Sequence, residues 1–189
     1  MRARRPDDWR VDLGRRHLLE ARVARGLDRH EGLTLLRNST SSTDRLDFQV
    51  LGPGDRLLEI EFKTKRQSYV GWDRYRSDLS ERDLFILDEL ALRRIVDAGR
   101  YAFLLVFDMT TPRWCVWTTP DLVLTSKARV GRKLATGRDQ VKGKILVSLT
   151  ETATATRSLE EAVETIASKA MSMDRRWNDI APWPDGVRA

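Results

Sequence analysis

The chain has 189 residues, 41% of them hydrophobic, with 34 Lys and Arg against 28 Asp and Glu and a formal charge of +6. That length suits one globular domain with a sizeable core, expected over 1–189 with its centre at about 12–150 and a C-terminal helix and tail at 158–189. Cys115 is the single cysteine, which excludes a disulfide framework and a multi-cysteine zinc site. No run approaches the roughly 18 apolar residues of a membrane helix. Residues 1–10 are charged and lack the apolar stretch of a secretory signal. A cytoplasmic protein with no membrane partner is expected.

Residues 15–30 carry Leu19, Val23 and Leu27 at steps of four, one apolar stripe of a helix. Leu33–Leu36 reads as a short edge strand, and Asn38–Thr43 as a polar loop. Two alternating runs follow. Leu46, Phe48 and Val50 alternate with Asp47 and Gln49, and Leu58, Ile60 and Phe62 alternate with Glu59, Glu61 and Lys63. Period two predicts half-buried strands, and Gly52-Pro53-Gly54-Asp55 between them predicts a turn. Ser80 and Asp83 predict the cap of a helix that runs through Leu84, Leu87, Ala91 and Ile95 to Gly99. Tyr101–Phe107 is a continuous apolar run, the pattern of a strand covered on both faces. Arg113–Thr118 and Ile145–Leu149 read as further strands. Ser158 with Glu161 caps a last helix to about Met173. Together these predict an α/β (α+β) domain, a central mixed sheet flanked by helices.

The hairpin register follows from placing apolar side chains opposite one another. Leu46 then faces Phe62, Phe48 faces Ile60 and Val50 faces Leu58. The other face sets Asp47 opposite Glu61 and Gln49 opposite Glu59, with Lys63 alongside. Carboxylates opposite one another on a sheet repel, and a cation relieves that repulsion. Oxygen ligands favour hard ions, so Mg²⁺ is expected, with Mn²⁺ as a substitute. A lysine beside such an ion orients water or offsets developing negative charge. Asp47, Glu61 and Lys63 therefore read as a phosphodiester-hydrolysis site. The same alternation also describes an ordinary solvent-facing strand.

At these residues the chain resembles the PD-(D/E)xK nuclease superfamily, the restriction-endonuclease-like and Holliday-junction-resolvase-like proteins. The segment is TDRLDFQVLGPGDRLLEIEFKTK, residues 43–65. Asp47 matches the motif's acid and Glu61-Phe62-Lys63 its E-x-K, while Leu46 stands where the motif has proline. The resemblance spans about residues 12–120 and includes a first helix, in which Glu20 matches an auxiliary acid. It implies a restriction-endonuclease-like core and a Mg-dependent endodeoxyribonuclease, of a kind found in repair, recombination, restriction or phage defence. Asp47, Glu61 and the Phe62 carbonyl would hold the metal, Lys63 would position water, and Glu20 would assist. Family analogy also implies a homodimer or a partner protein that supplies specificity. Gln67 and Glu59 are possible additions to the site. DNA is the expected partner, with RNA left open. The alternative is a nucleic-acid-binding or assembly module on the same fold that does not cut.

The net charge is local. Residues 125–144 hold seven basic residues and one acid, and the remainder balances at 27 of each. Such a segment suits a phosphate backbone through Coulomb attraction and counterion release, or is simply a solvated hairpin. Lys127, Arg129, Arg132 and Lys133 are its candidate nucleic-acid contacts, joined by Lys65 and Arg66 beside the hairpin. Lys65 and Arg66 open a stretch in which bases alternate with Tyr69, Trp72 and Tyr75, a mixture suited to phosphate pairing and base stacking. His17, His30, Cys115, Trp114 and Trp117 read as structural.

Overall fold

The first apolar stripe forms helix α1, Asp8–Arg29, which starts earlier than its apolar spacing indicates. The computed structural model describes residues 8–38, 45–133 and 141–180. Within these it describes all side chains except those at 8–13, 15, 16, 73, 132, 133, 141, 142 and 174–180. The polar loop expected at 38–43 lies outside the described residues, apart from Asn38 at the end of a strand.

The strands are β1 (Thr34–Asn38), β2 (Phe48–Gly52), β3 (Arg56–Lys65), β4 (Leu84–Asp88), β5 (Ala102–Asp108), β6 (Arg113–Thr118), β7 (Ala128–Lys133), β8 (Val141–Ser148) and β9 (Thr154–Thr156). The later helices are α2 (Glu89–Asp97), α3 (Thr119–Leu124) and α4 (Leu159–Ile180). Six strands form the main sheet in the order β1-β2-β3-β5-β6-β9, and β4-β8-β7 form a smaller antiparallel sheet. Among the described strands only β3 and β5 pair in parallel, so the main sheet is mixed. This is the α/β arrangement of a mixed sheet between helices. No described helix is long and apolar enough to cross a membrane.

Alternation along β5 shows how the layers form. Phe103 and Leu105 join one core with Val23 and Leu27 of α1 and Val163 and Ile166 of α4. Ala102, Leu104 and Val106 join a second core with Ala91 and Ile95 of α2, Leu122 of α3, and Phe85, Leu87, Ile145 and Val147 of the smaller sheet. Both faces of β5 are thus covered, as its unbroken apolar run requires.

The hairpin register is as the pattern demands for Phe48↔Ile60, Gln49↔Glu59 and Val50↔Leu58. Gln49 Nε2 donates to Glu59 Oε1 across it at 2.7 Å. The turn uses Gly54 at φ +69 and Asp55 at φ +57, left-handed values that favour Gly and Asp. At Gly52 a Cβ would lie 2.6 Å from Cδ1 of the fully buried Leu58. Gly52→Ala is therefore expected to cost about 1–3 kcal/mol through overpacking. An unchanged urea midpoint would show that Leu58 moves aside freely.

Two expectations need correction. The helix predicted from Ser80 is a turn, then β4, and only then α2. Asp83 N donates to Ser80 Oγ at 3.2 Å, so the capping contact exists, but it closes a turn. Leu-Phe-Ile-Leu-Asp then pairs with β8, and Leu84, Phe85 and Leu87 are buried, the last two in the second core. The expected Leu46–Phe62 pair is also absent. The β2 ladder begins at Phe48, and Leu46 packs in the second core while Phe62 packs in the first.

Candidate active site

β3 presents Glu61 and Lys63 from one face, because alternate residues of a strand share a face. Lys63 Nζ donates a short hydrogen bond to Glu61 Oε1 and a second to the Phe62 carbonyl at 3.2 Å. The same ammonium lies 3.8 Å from Asp47 Oδ2. Asp47 precedes β2, and its Oδ2 accepts from the Phe62 amide at 2.8 Å. That bond takes the place of the expected backbone pairing and ties Asp47 to the Glu61-Phe62-Lys63 segment. Asp47, Glu61, Lys63 and the Phe62 carbonyl thus converge.

Burial distinguishes these groups. Glu61 is 1% exposed and Asp47 6%, whereas the Lys63 side chain is 28% exposed. Burial raises the Glu61 carboxyl above its ordinary value, Lys63 opposes this, and the neighbouring Asp47 charge adds to it. Glu61 Oε1 also accepts from Arg94 Nη2 at 3.3 Å. Glu61 Oε2 is buried and has no hydrogen-bond partner among the described residues. A buried carboxylate oxygen without a donor is costly and leaves capacity for a cation. Among the described residues no group of three or more His, Cys, Asp and Glu could hold a metal ion. Two carboxylates and one carbonyl suit Mg²⁺, which completes its shell with water and phosphate.

Sequence reasoning missed Arg94. It lies in α2 between the buried Ala91 and Ile95. Its Nη1 also donates to the Arg45 carbonyl at 3.5 Å. With Arg45, Leu46, Glu59, Asp97 and Ala98 it lines an open pocket beside the carboxylates. The available signal was a basic residue three positions after Ala91, on the edge of an apolar stripe.

Glu20 comes from α1, which packs on the first core, and is 1% exposed. His17 Nδ1 lies 3.3 Å from its Oε2. Gln67 is exposed after the end of β3.

The expected nucleic-acid contacts divide sharply. Lys65 is fully buried, so its assignment to the surface is corrected. It donates to the Arg82 carbonyl and to the Glu81 carbonyl at 3.4 Å, and lies 4.0 Å from Asp108 Oδ2. Burial lowers its ammonium below the ordinary lysine value, with Asp108 opposing. Lys127 is likewise committed. Its Nζ donates to the carbonyls of Leu122, Val123 and Thr125 at 2.7, 2.8 and 2.7 Å, capping the C-terminus of α3. Arg129 is exposed but pairs with Glu89 at 2.9 Å, and Lys144 pairs with Asp88. Arg66 is exposed, with Nε donating to Thr64 Oγ1 at 3.3 Å. Arg132 and Lys133 belong to β7, and their side chains lie outside the description.

In the loop after β3, Trp72 and Tyr75 meet edge-to-face with centroids 5.9 Å apart, and Arg74 stacks over Tyr75 at 4.8 Å. Arg76 is buried against Asp78 at 2.6 Å. Burial pushes the Tyr69 hydroxyl up to about 12 and the Cys115 thiol up to about 11, which leaves Cys115 an inert core residue. Trp114 stacks on Phe107 at 4.5 Å, and Trp117 is fully buried.

No protein-family model matches the chain, and no curated protein matches it. Among solved structures it is similar to D212, a nuclease from a fusselovirus, at 14% sequence identity and a TM-score of 0.49. The likeness covers 86% of this chain and 96% of that one.

Proposed function

We propose that the protein is a metal-dependent nuclease that hydrolyses DNA phosphodiester bonds, with Asp47, Glu61 and Lys63 at its centre. The observation that carries this reading is the convergence of two buried carboxylates, a backbone carbonyl and one lysine, with Glu61 Oε2 lacking a donor among the described residues. Asp47, Glu61 and the Phe62 carbonyl would hold Mg²⁺ or Mn²⁺. When bound, such an ion polarises a phosphoryl oxygen and acidifies a coordinated water.

The chain's own groups do the rest. Lys63 is the partly exposed member, so its ammonium holds a water in line with the scissile phosphorus and faces the charge that develops there. Arg94, with Lys63, draws the Glu61 carboxyl back toward ionisation against its burial. The Phe62 amide keeps Asp47 aimed at the same point. Glu20 is the candidate auxiliary acid, held from α1.

The test is nicking of supercoiled plasmid DNA in Mg²⁺, beside EDTA and Lys63→Ala controls. Wild type should relax the plasmid, EDTA should stop it, and Lys63→Ala should lose about 10²–10³-fold in rate, as when an oriented charge is removed from a transition state. Wild type that shifts DNA in a gel yet never cuts would establish a binding module instead. Wild type that does neither would reduce the motif to an accident of strand alternation.

A further inference from the structure

The positive charge that the sequence concentrates at 125–144 is largely committed where it is described: Lys127 caps α3, Arg129 holds Glu89, and Lys144 holds Asp88. Charge that is free to meet a ligand lies elsewhere. Arg22, Arg25 and Arg29 are exposed on α1 and make no ion pair or side-chain hydrogen bond to a described residue. Residues three and four apart on a helix share a face, so these three form one ridge. The ridge borders a groove that α1 makes with α4, lined also by Gly26, His30, Leu159, Glu160 and Val163.

The groove has a built floor. A Cβ on Gly26 would lie 3.0 Å from Leu159 Cδ2, so glycine lets the two helices approach closely there. At one end His30 Nε2 meets Glu164 Oε2 at 2.9 Å, while His30 Nδ1 accepts from the Gly32 amide at 3.1 Å. That tautomer is the one that donates to Glu164 and engages its carboxylate. Among the described residues Glu160 is then the one carboxylate lining the groove, against three guanidinium groups.

We infer that this groove between α1 and α4 is a second nucleic-acid contact, in which Arg22, Arg25 and Arg29 grip the phosphate backbone. The ridge extends about 10 Å along the helix axis, at about 1.5 Å per residue. One strand of a duplex presents about three phosphates over that length, at about 3.4 Å each. Guanidinium forks match phosphate oxygens bidentately. The shared chemistry is phosphate recognition. The choice of a nucleic acid over a small phosphorylated ligand rests on the nuclease reading above.

The test is binding of a fluorescein-labelled DNA duplex by anisotropy, in EDTA so that nothing is cut, across a salt series. Arg22→Gln/Arg25→Gln/Arg29→Gln should melt with wild type, because all three side chains are exposed and pair with no described residue. It should bind the duplex at least 10-fold more weakly, with the slope of log K against log salt reduced by about 2–3, one per lost phosphate contact. A triple variant with wild-type affinity and slope would overturn the inference. So would a wild type that binds inorganic pyrophosphate through these arginines but not the duplex, which would assign the groove to a small phosphate. Plasmid nicking distinguishes this failure from failure of the hydrolytic reading. Cleavage with an unchanged slope removes the groove alone, and a lost slope without cleavage removes the hydrolase alone.

Discussion

Glu61→Gln is expected to abolish plasmid nicking and, at neutral pH, to melt at a higher temperature than wild type. The loss of activity follows from removing a carboxylate on which the proposed metal site depends. The gain in stability follows from the cost of that carboxylate. Glu61 is 1% exposed, and burial, then Asp47 after the opposing pull of Lys63, hold its carboxyl above the ordinary 4.5. A carboxyl raised in the fold binds more protons folded than unfolded as pH rises from that ordinary value through the folded one. Stability is therefore fully present below about 4.5, is lost through that window and is not recovered at pH 7. Glutamine is neutral throughout and still offers Lys63 and Arg94 a carbonyl acceptor. Thermal scans from pH 4 to 8 should show the two proteins converging in acid and separating as pH rises. Mg²⁺ should raise the melting temperature of wild type, since a ligand of the folded state stabilises it, and should leave Glu61→Gln unmoved. A variant that melts below wild type at pH 7 would mean that the ion pairs of Glu61 outweigh its burial, and would make it a structural charge.

How much of this was legible beforehand depends on which interactions act locally. The β2–β3 register was legible because period-two alternation on both strands permits one pairing that buries Phe48, Val50, Leu58 and Ile60 together. β5 was legible because a strand with no polar face has nowhere to lie but between layers. Residues 80–99 misled because Leu84, Leu87, Ala91 and Ile95 fit a helical stripe, although the first two belong to a strand. Spacing alone does not separate these readings, and pairing with the distant β8 decides between them. The convergence of Asp47 with Glu61 was foreseen, but not by the route it takes. The side chain of Asp47 accepts the Phe62 amide where a ladder bond was expected. Arg94 and the pairing of Arg129 and Lys144 were hidden for one reason. Whether a surface charge is free or committed depends on partners tens of residues away, such as Glu89 for Arg129.

Lys65 is the sharpest case of that hidden information. Lys65→Ala is expected to cost about 3–5 kcal/mol, the range for removing one member of a buried charge pair. Lys65 is fully buried and 4.0 Å from the equally buried Asp108. Removing its ammonium leaves Asp108 with the donors it already has, Arg113 Nε at 3.2 Å and Thr110 Oγ1 at 2.6 Å. It also removes the donor held by the Glu81 and Arg82 carbonyls, and with it the link from β3 to the turn that leads into β4. The lost methylenes add a cavity. At about 2–4 °C per kcal/mol for a domain of this size, the melting temperature should fall by roughly 6–20 °C. Lys65→Met fills the same space without the charge and should fall less, which separates the volume from the polar contacts. DNA affinity, measured on folded protein below the transition, should be unchanged in both variants. A Lys65→Ala protein that melts with wild type but binds DNA more weakly would return this lysine to the surface and to a role in contacting phosphate.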